Sequence, residues 1–249
     1  MSGSTVVVTA AAGSFLGLSE ALRSLSVQVI ELPLLSFAPP ADWTEVDRAI
    51  RELRRYAAIA FTSPRAAVAF GRRWENIGRD ALPTVWAAGR HTASALHPLV
   101  DTLRTAPEDE IGRVGAAAAV AAAMLGDGIA GPVLFPCGEI RRDELPTRLR
   151  QEGVEVDEVV CYRSVVAGED AAREALRRAD ILIVASPSVA QLLARTSASS
   201  SRPSLLAVGP TTAAAARAAG WGPAAVAAHP DVDALVAEVR ALLVEPSAR

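Results

Sequence analysis

The amino-acid sequence predicts an α/β protein built from two parallel-sheet domains. Three observations carry this. Short apolar and β-branched runs alternate with helical segments along all 249 residues, the pattern of strands joined by crossover helices. Strand ends run repeatedly into Ser-Pro or Gly-Pro, pairs that suit a helix start. The chain also repeats itself: AIAFTSPRAAVAF at 58–70 is matched by ILIVASPSVAQLL at 181–193, with Ser63 and Ser186 in the same place.

In chain order, TVVVTA (5–10) reads as the first strand and LSEALRSL as a helix. VQVIELPLLSF (27–37) reads as one strand continuing into an extended segment, stopped by Pro39 and Pro40. EVDRAIRELRRY is a helix with Val46, Ile50 and Leu53 on one face. Strand AAIAFTS, a helix from Pro64, strand TVWAAG, a helix from Arg90 and strand DTLRTA follow. A long Ala-rich helix comes after PEDE (107–110). PVLFPCG (132–138) opens a new run, followed by a helix with a start or kink at Pro146 and the strand VEVDEVVCYRSV. Helix EDAAREALRRA, strand DILIVASP, a helix from Pro187, strand SLLAVG, a helix from Pro210, strand AAVAAH and a helix from Pro230 to about Val244 complete the chain. The Ser-rich TSASSSRPS (196–204) reads as a mobile surface loop.

Composition narrows the function classes. The net charge is −3, so no bulk attraction to nucleic acid or a membrane surface is expected. All 25 basic residues are arginine, which excludes a Schiff-base or phosphate-loop lysine. Cys137 and Cys161 sit in apolar strand runs and read as small buried hydrophobes. No clustered His/Cys spacing suggests a metal site. The first residues lack the basic region of a secretory signal, and the longest apolar stretch (115–125) is too short to span a bilayer. A cytoplasmic protein is the expectation. A G-x-S-x-G elbow, a G-x-G-x-x-G turn after the first strand and a strand-end aspartate for phosphoryl signalling are all absent.

The repeat extends beyond its first pair. VWAAGRHTASAL matches LLAVGPTTAAAA, pairing Gly89 with Gly209 and Thr92 with Thr212. The helices opening at Pro107 and Pro230 correspond, and the β-α-β from Thr5 to Phe37 matches that from Pro132 to Val166. Each sheet needs one β-α-β and one three-strand block. If the second β-α-β closes the middle block, the N-terminal one closes the C-terminal block. The chain then leaves one domain, builds the other, and returns. The expected organisation is two flavodoxin-like five-stranded domains, interleaved and joined by a two-strand linker. Domain 1 would be 1–33 plus 167–249, domain 2 would be 38–160, and the crossings would lie near 34–37 and 161–166. Tandem domains built in chain order are the alternative.

In open parallel sheets, turns at the carboxyl ends of strands hold ligands, and uncovered helix-start N–H groups attract anions. For any one such turn, plain capping is the preferred explanation. Four alike, from two facing domains, would line one cleft with amide donors. The helices opening PEDE and PDVD already carry carboxylates and read as self-capped structure.

These residues resemble the uroporphyrinogen-III synthase family. The carriers are the FTSP turn (61–64), AAGRHTASAL (87–96), the run G-V-E-V-D-E-V-V-C-Y-R ending at Tyr162-Arg163, ASPS (185–188) and VGPTTAAAA (208–216). The family often has Thr-Arg-Pro after the first strand, where this chain has Thr9-Ala10-Ala11. The resemblance implies an interleaved two-domain fold and conversion of hydroxymethylbilane, a linear tetrapyrrole with eight carboxylates, into uroporphyrinogen III. The last ring is inverted through a spiro intermediate and water is lost. No metal or organic cofactor is implied, and transient handover from hydroxymethylbilane synthase is.

Tyr162 is the candidate for assisting hydroxyl departure, with packing beside the linker as its plainer role. Thr212 is a second catalytic candidate. Thr62, Ser63, Gly89, Thr92, Ser186, Gly209 and Thr211 are candidate substrate-binding residues, with helix-start capping as the competing role. Arg65, Arg90 and Arg141, with Arg142 beside it, follow strand ends and could pair with carboxylates. His91, His97 and His229 show no catalytic partner pattern. A non-catalytic tetrapyrrole- or anion-binding paralogue with the same fold is the competing reading.

Overall fold

A computed structural model describes residues 3–78, 81–100, 102–197 and 202–244. The chain forms β1 (Thr5–Val8), α1 (Leu18–Arg23), β2 (Gln28–Glu31) and β3 (Leu35–Ala38). Next come α2 (Thr44–Arg51), β4 (Ala58–Phe61), α3 (Pro64–Ile77), β5 (Thr84–Ala87), α4 (Arg90–Leu96) and β6 (Leu103–Thr105). Then α5 (Glu108–Val114), α6 (Ala116–Gly126), β7 (Val133–Gly138), α7 (Glu144–Gln151) and β8 (Val156–Val166) follow. The last elements are α8 (Glu169–Arg178), β9 (Ile181–Val184), α9 (Pro187–Thr196), β10 (Ser204–Ala207), α10 (Pro210–Ala218), β11 (Ala225–Val226) and α11 (Val232–Val244).

Two compact units result, one from residues 1–37 and 165–249, the other from 38–164. The first contains a five-stranded sheet in the order β11-β10-β9-β1-β2, with parallel pairings throughout. The other sheet has the order β3-β8-β7-β4-β5-β6. It therefore has six strands rather than five, because β3 adds to the edge beside β8.

Proline and glycine cut several expected elements. The stretch predicted over 27–37 as a strand continuing into an extended segment forms two strands, β2 and β3, interrupted at Leu32–Leu34. Pro33 has no N–H to donate there, while Leu32 N and Leu34 N still bond to Val8 O and Thr9 O, both at 3.0 Å. The predicted Ala-rich helix breaks into α5 and α6 at Gly115, whose φ of 88° is a left-handed conformation that glycine adopts cheaply. The helix predicted over 45–56 ends at Arg51 and resumes as a 3₁₀ turn at Leu53–Arg55. Pro146 neither starts nor breaks α7; it occupies the first turn, where its missing N–H costs nothing. The strand predicted as AAVAAH shortens to Ala225–Val226. Of the Ser-rich stretch, residues 198–201 lie outside the described residues.

Central strands are apolar on both faces because helices cover both faces. In the first unit Val6, Val8, Ile181, Ile183 and Leu206 pack on one side of the sheet. Val7, Leu182, Val184, Leu205 and Ala207 pack on the other. The second unit repeats the scheme. Ile59 and Phe61 join α2, α3 and α4 residues such as Ile50, Phe70 and Leu96. Ala58 and Ala60 face Val120, Met124, Leu145 and Leu149 from α6 and α7. Phe61 meets Phe70 edge-on, with centroids 5.6 Å apart. Among the described residues no helix is long and apolar enough to cross a membrane.

Candidate active site

The carboxyl edge of the 38–164 unit gathers most of the predicted side chains. Phe61 ends β4 fully buried, and the chain turns through Thr62 and Ser63 into α3. Ser63 has the extended backbone of an N-cap, and its Oγ accepts from Ala66 N at 3.4 Å, with Pro64 in the first helical position. The same Oγ lies 3.2 Å from the Tyr162 hydroxyl. Two predicted site residues, 99 positions apart in sequence, thus form one hydroxyl pair.

The Arg65 guanidinium neighbours that pair. Although its side chain keeps contact with solvent, surrounding protein atoms lower its pKa, and the adjacent Tyr162 opposes that shift. Gly89 caps α4 with a φ of 82°, a conformation costly for any other residue. Arg90 is exposed at the start of α4, while Thr92 is buried one turn in.

Arg141 is engaged within the fold. It follows β7, but its guanidinium is ion-paired with Glu158 of β8. Arg150 reaches the same carboxylate at 2.8 Å and also donates to Val156 O. A residue expected to meet substrate carboxylate is thus already neutralised by a protein carboxylate. Arg142 remains mostly exposed, with Glu144 3.9 Å away.

The other unit presents hydroxyls and backbone at its carboxyl edge. Ser186 occupies the N-cap of α9 with extended backbone, yet makes no side-chain capping bond. Its hydroxyl pairs instead with Ser188 at 2.8 Å, a departure from the capping role that the repeat with Ser63 suggests. Gly209 precedes α10, again with no side-chain cap, and with Pro210 first in the helix. Thr211 is exposed and Thr212 buried. Thr9 is buried and donates to Ile183 O at 2.8 Å, with Ala10 and Ala11 buried beyond it. Asp231 caps α11 by accepting from Ala234 N at 2.8 Å, while α5 has no side-chain cap. The expected self-capping therefore holds for the second of those helices only.

Three participants escaped sequence reading. Ser188 was legible only as the last residue of ASPS. Glu158 lies in β8 and was legible only as part of the run ending at Tyr162-Arg163. Gly138 looked like an ordinary strand end, yet it lies against the Tyr162 ring.

The molecule is thus a two-unit parallel α/β protein whose carboxyl-edge turns offer hydroxyls, uncapped helix starts and arginines. A family model described as uroporphyrinogen-III synthase HemD matches residues 17–237. The uroporphyrinogen-III synthase of Synechococcus elongatus is 27% identical over 193 residues, spanning 73% of this chain and 69% of the relative. The chain belongs to the uroporphyrinogen-III synthase family, cofactor-independent lyases of tetrapyrrole biosynthesis. Two solved structures share the fold. A mutant uroporphyrinogen III synthase from the extreme thermophile Thermus thermophilus aligns with a TM-score of 0.62 at 18% identity, covering 98% of this chain and 100% of the other. Uroporphyrinogen-III synthetase from Helicobacter pylori aligns with a TM-score of 0.61 at 16% identity, covering 96% and 99%.

Proposed function

We propose that this chain converts hydroxymethylbilane into uroporphyrinogen III. The observation that carries the reading is the Tyr162–Ser63 hydroxyl pair at 3.2 Å, within a chain of this family. The substrate's terminal hydroxyl leaves with a proton, and Tyr162 donates the hydrogen bond that eases its departure. The substituted carbon of the last ring, an electron-rich pyrrole carbon, attacks the azafulvenium cation so formed, giving a spiro intermediate. Fragmentation and reclosure turn that ring over, and the net loss is one water.

Pyrrole chemistry supplies the bond changes, so the protein's task is to hold and fold the chain. Helix starts without side-chain caps, at Gly89, Ser186 and Gly209, suit substrate carboxylates, as do Thr62, Thr92, Thr211 and Thr212. Arg65 and Arg90 are the arginines we assign to carboxylate pairing. Arg141 acts through its ion pair with Glu158.

We read each unit as a flavodoxin-like lobe. Two strands of one β-α-β followed by the three-strand block give the spatial order 2-1-3-4-5 in both sheets, permuted in the second and extended by β3. The expected setting is the cytoplasm, with the bilane received by transient handover from hydroxymethylbilane synthase.

The test is incubation of hydroxymethylbilane with the protein and separation of the product isomers. Type III above the spontaneous background supports the reading. Type I alone, as forms without protein, rejects it in favour of a non-catalytic relative.

A further inference from the structure

We infer that Gly138 is a positioning residue for Tyr162: it is a glycine because any larger side chain would drive the phenol away from Ser63. The functional consequence rests on the reading proposed above; the geometry does not. Cys137 pairs with Val160, but the next residue, Gly138, pairs with Tyr162, so Cys161 is one residue too many in β8. A bulge of this kind re-aims the side chains that follow it. Here it sets Tyr162 opposite Gly138.

A methyl group at position 138 would lie 2.6 Å from Tyr162 Cζ, 2.8 Å from its hydroxyl oxygen and 2.9 Å from Cε2. Non-bonded heavy atoms settle at roughly 3.5–4.0 Å, so the methyl and the ring cannot both stay. Backbone conformation gives no reason for glycine here, since Gly138 is not among the positive-φ glycines. Space for the ring is the reason that remains.

The main chain cannot easily absorb the conflict. Glu139 N donates to Tyr162 O at 2.9 Å, which fixes the two strands at this point. The clashing atoms are the far end of a side chain that can rotate. Alanine at 138 therefore swings the ring aside and breaks the 3.2 Å contact with Ser63, while the sheet stays folded.

The chain has only two tyrosines, Tyr56 and Tyr162, so ring-¹³C-labelled protein reports each separately. Gly138→Ala is expected to move the Tyr162 signal, leave Tyr56 in place, keep the thermal midpoint and lower turnover roughly ten- to hundredfold. In a Tyr162→Phe background it should cause no further loss. An unmoved Tyr162 signal overturns the inference. So does full turnover in Gly138→Ala when Tyr162→Phe is impaired, or a loss that multiplies with Tyr162→Phe. Should Gly138→Ala not fold, Ser63→Ala must move the Tyr162 signal and Ser63→Thr restore it; an unmoved signal again overturns the inference. If the wild-type protein yields only the type I isomer, the functional reading fails, and the ring signals alone decide the inference.

Discussion

Tyr162 ends its ring at a hydroxyl 3.2 Å from Ser63 Oγ, and the role we propose for it in hydroxyl departure can be separated from packing by experiment. Tyr162→Phe is expected to lower turnover roughly ten- to hundredfold. It should lower stability by no more than about 1 kcal/mol, the worth of one hydrogen bond. Steady-state rates and urea midpoints check the two sides. The cysteines behave oppositely. Burial pushes the Cys137 thiol up to about 11 and raises Cys161 further. Neither thiol should react with a thiolate-seeking reagent in the native protein at pH 8, and both should react once it is unfolded. The same shifts set a pH trend: the folded state holds those protons while the unfolded chain releases them above roughly pH 8.5, so stability falls at alkaline pH. Buried thiols were legible in the sequence, since each sits within an apolar run. The engagement of Arg141 was not, because its partner Glu158 reaches it only through the pairing of two strands.

At the scale of elements, a partly buried ion pair ties α2 to α3 beside their shared apolar packing. Arg73 Nε and Nη2 each reach an Asp47 carboxylate oxygen at 2.6 Å, and the guanidinium stacks 5.2 Å from the Trp43 ring centroid. The Arg73 hydrogen bond holds the Asp47 carboxyl below its ordinary value. Its contribution is therefore complete above the ordinary carboxylate range and is lost as pH falls through the lowered value. Asp47→Asn should cost about 1 kcal/mol at neutral pH. The difference from wild type in urea midpoint should narrow at acid pH. Strand and helix identities were legible because apolar alternation and Pro-marked helix starts are local signals. Boundaries at Leu32–Leu34 and Gly115 were less so. Each depends on whether one Pro or Gly interrupts an element or is tolerated within it, and neighbouring backbone decides that.

At the scale of the molecule, the two units differ in chain continuity. The unit at 38–164 is one uninterrupted segment with its own cores on both sheet faces. Expressed alone, it should unfold cooperatively in urea. The segment 165–249 should not, because it lacks β1 at the middle of its sheet and with it Val6, Val7 and Val8. Circular dichroism melts of both fragments check this. The repeat made the strand blocks visible in the sequence, since matching turns recur in matching order. The bulge that aims Tyr162 left no such mark, because one extra residue in an apolar strand changes no pattern. The central claim is that this chain directs ring inversion. Its most direct test is the isomer composition of product formed from hydroxymethylbilane under single-turnover conditions. Uroporphyrinogen III should be the dominant product, formed faster than spontaneous closure; the type I isomer alone, at the rate seen without protein, would show that the chain does not direct inversion.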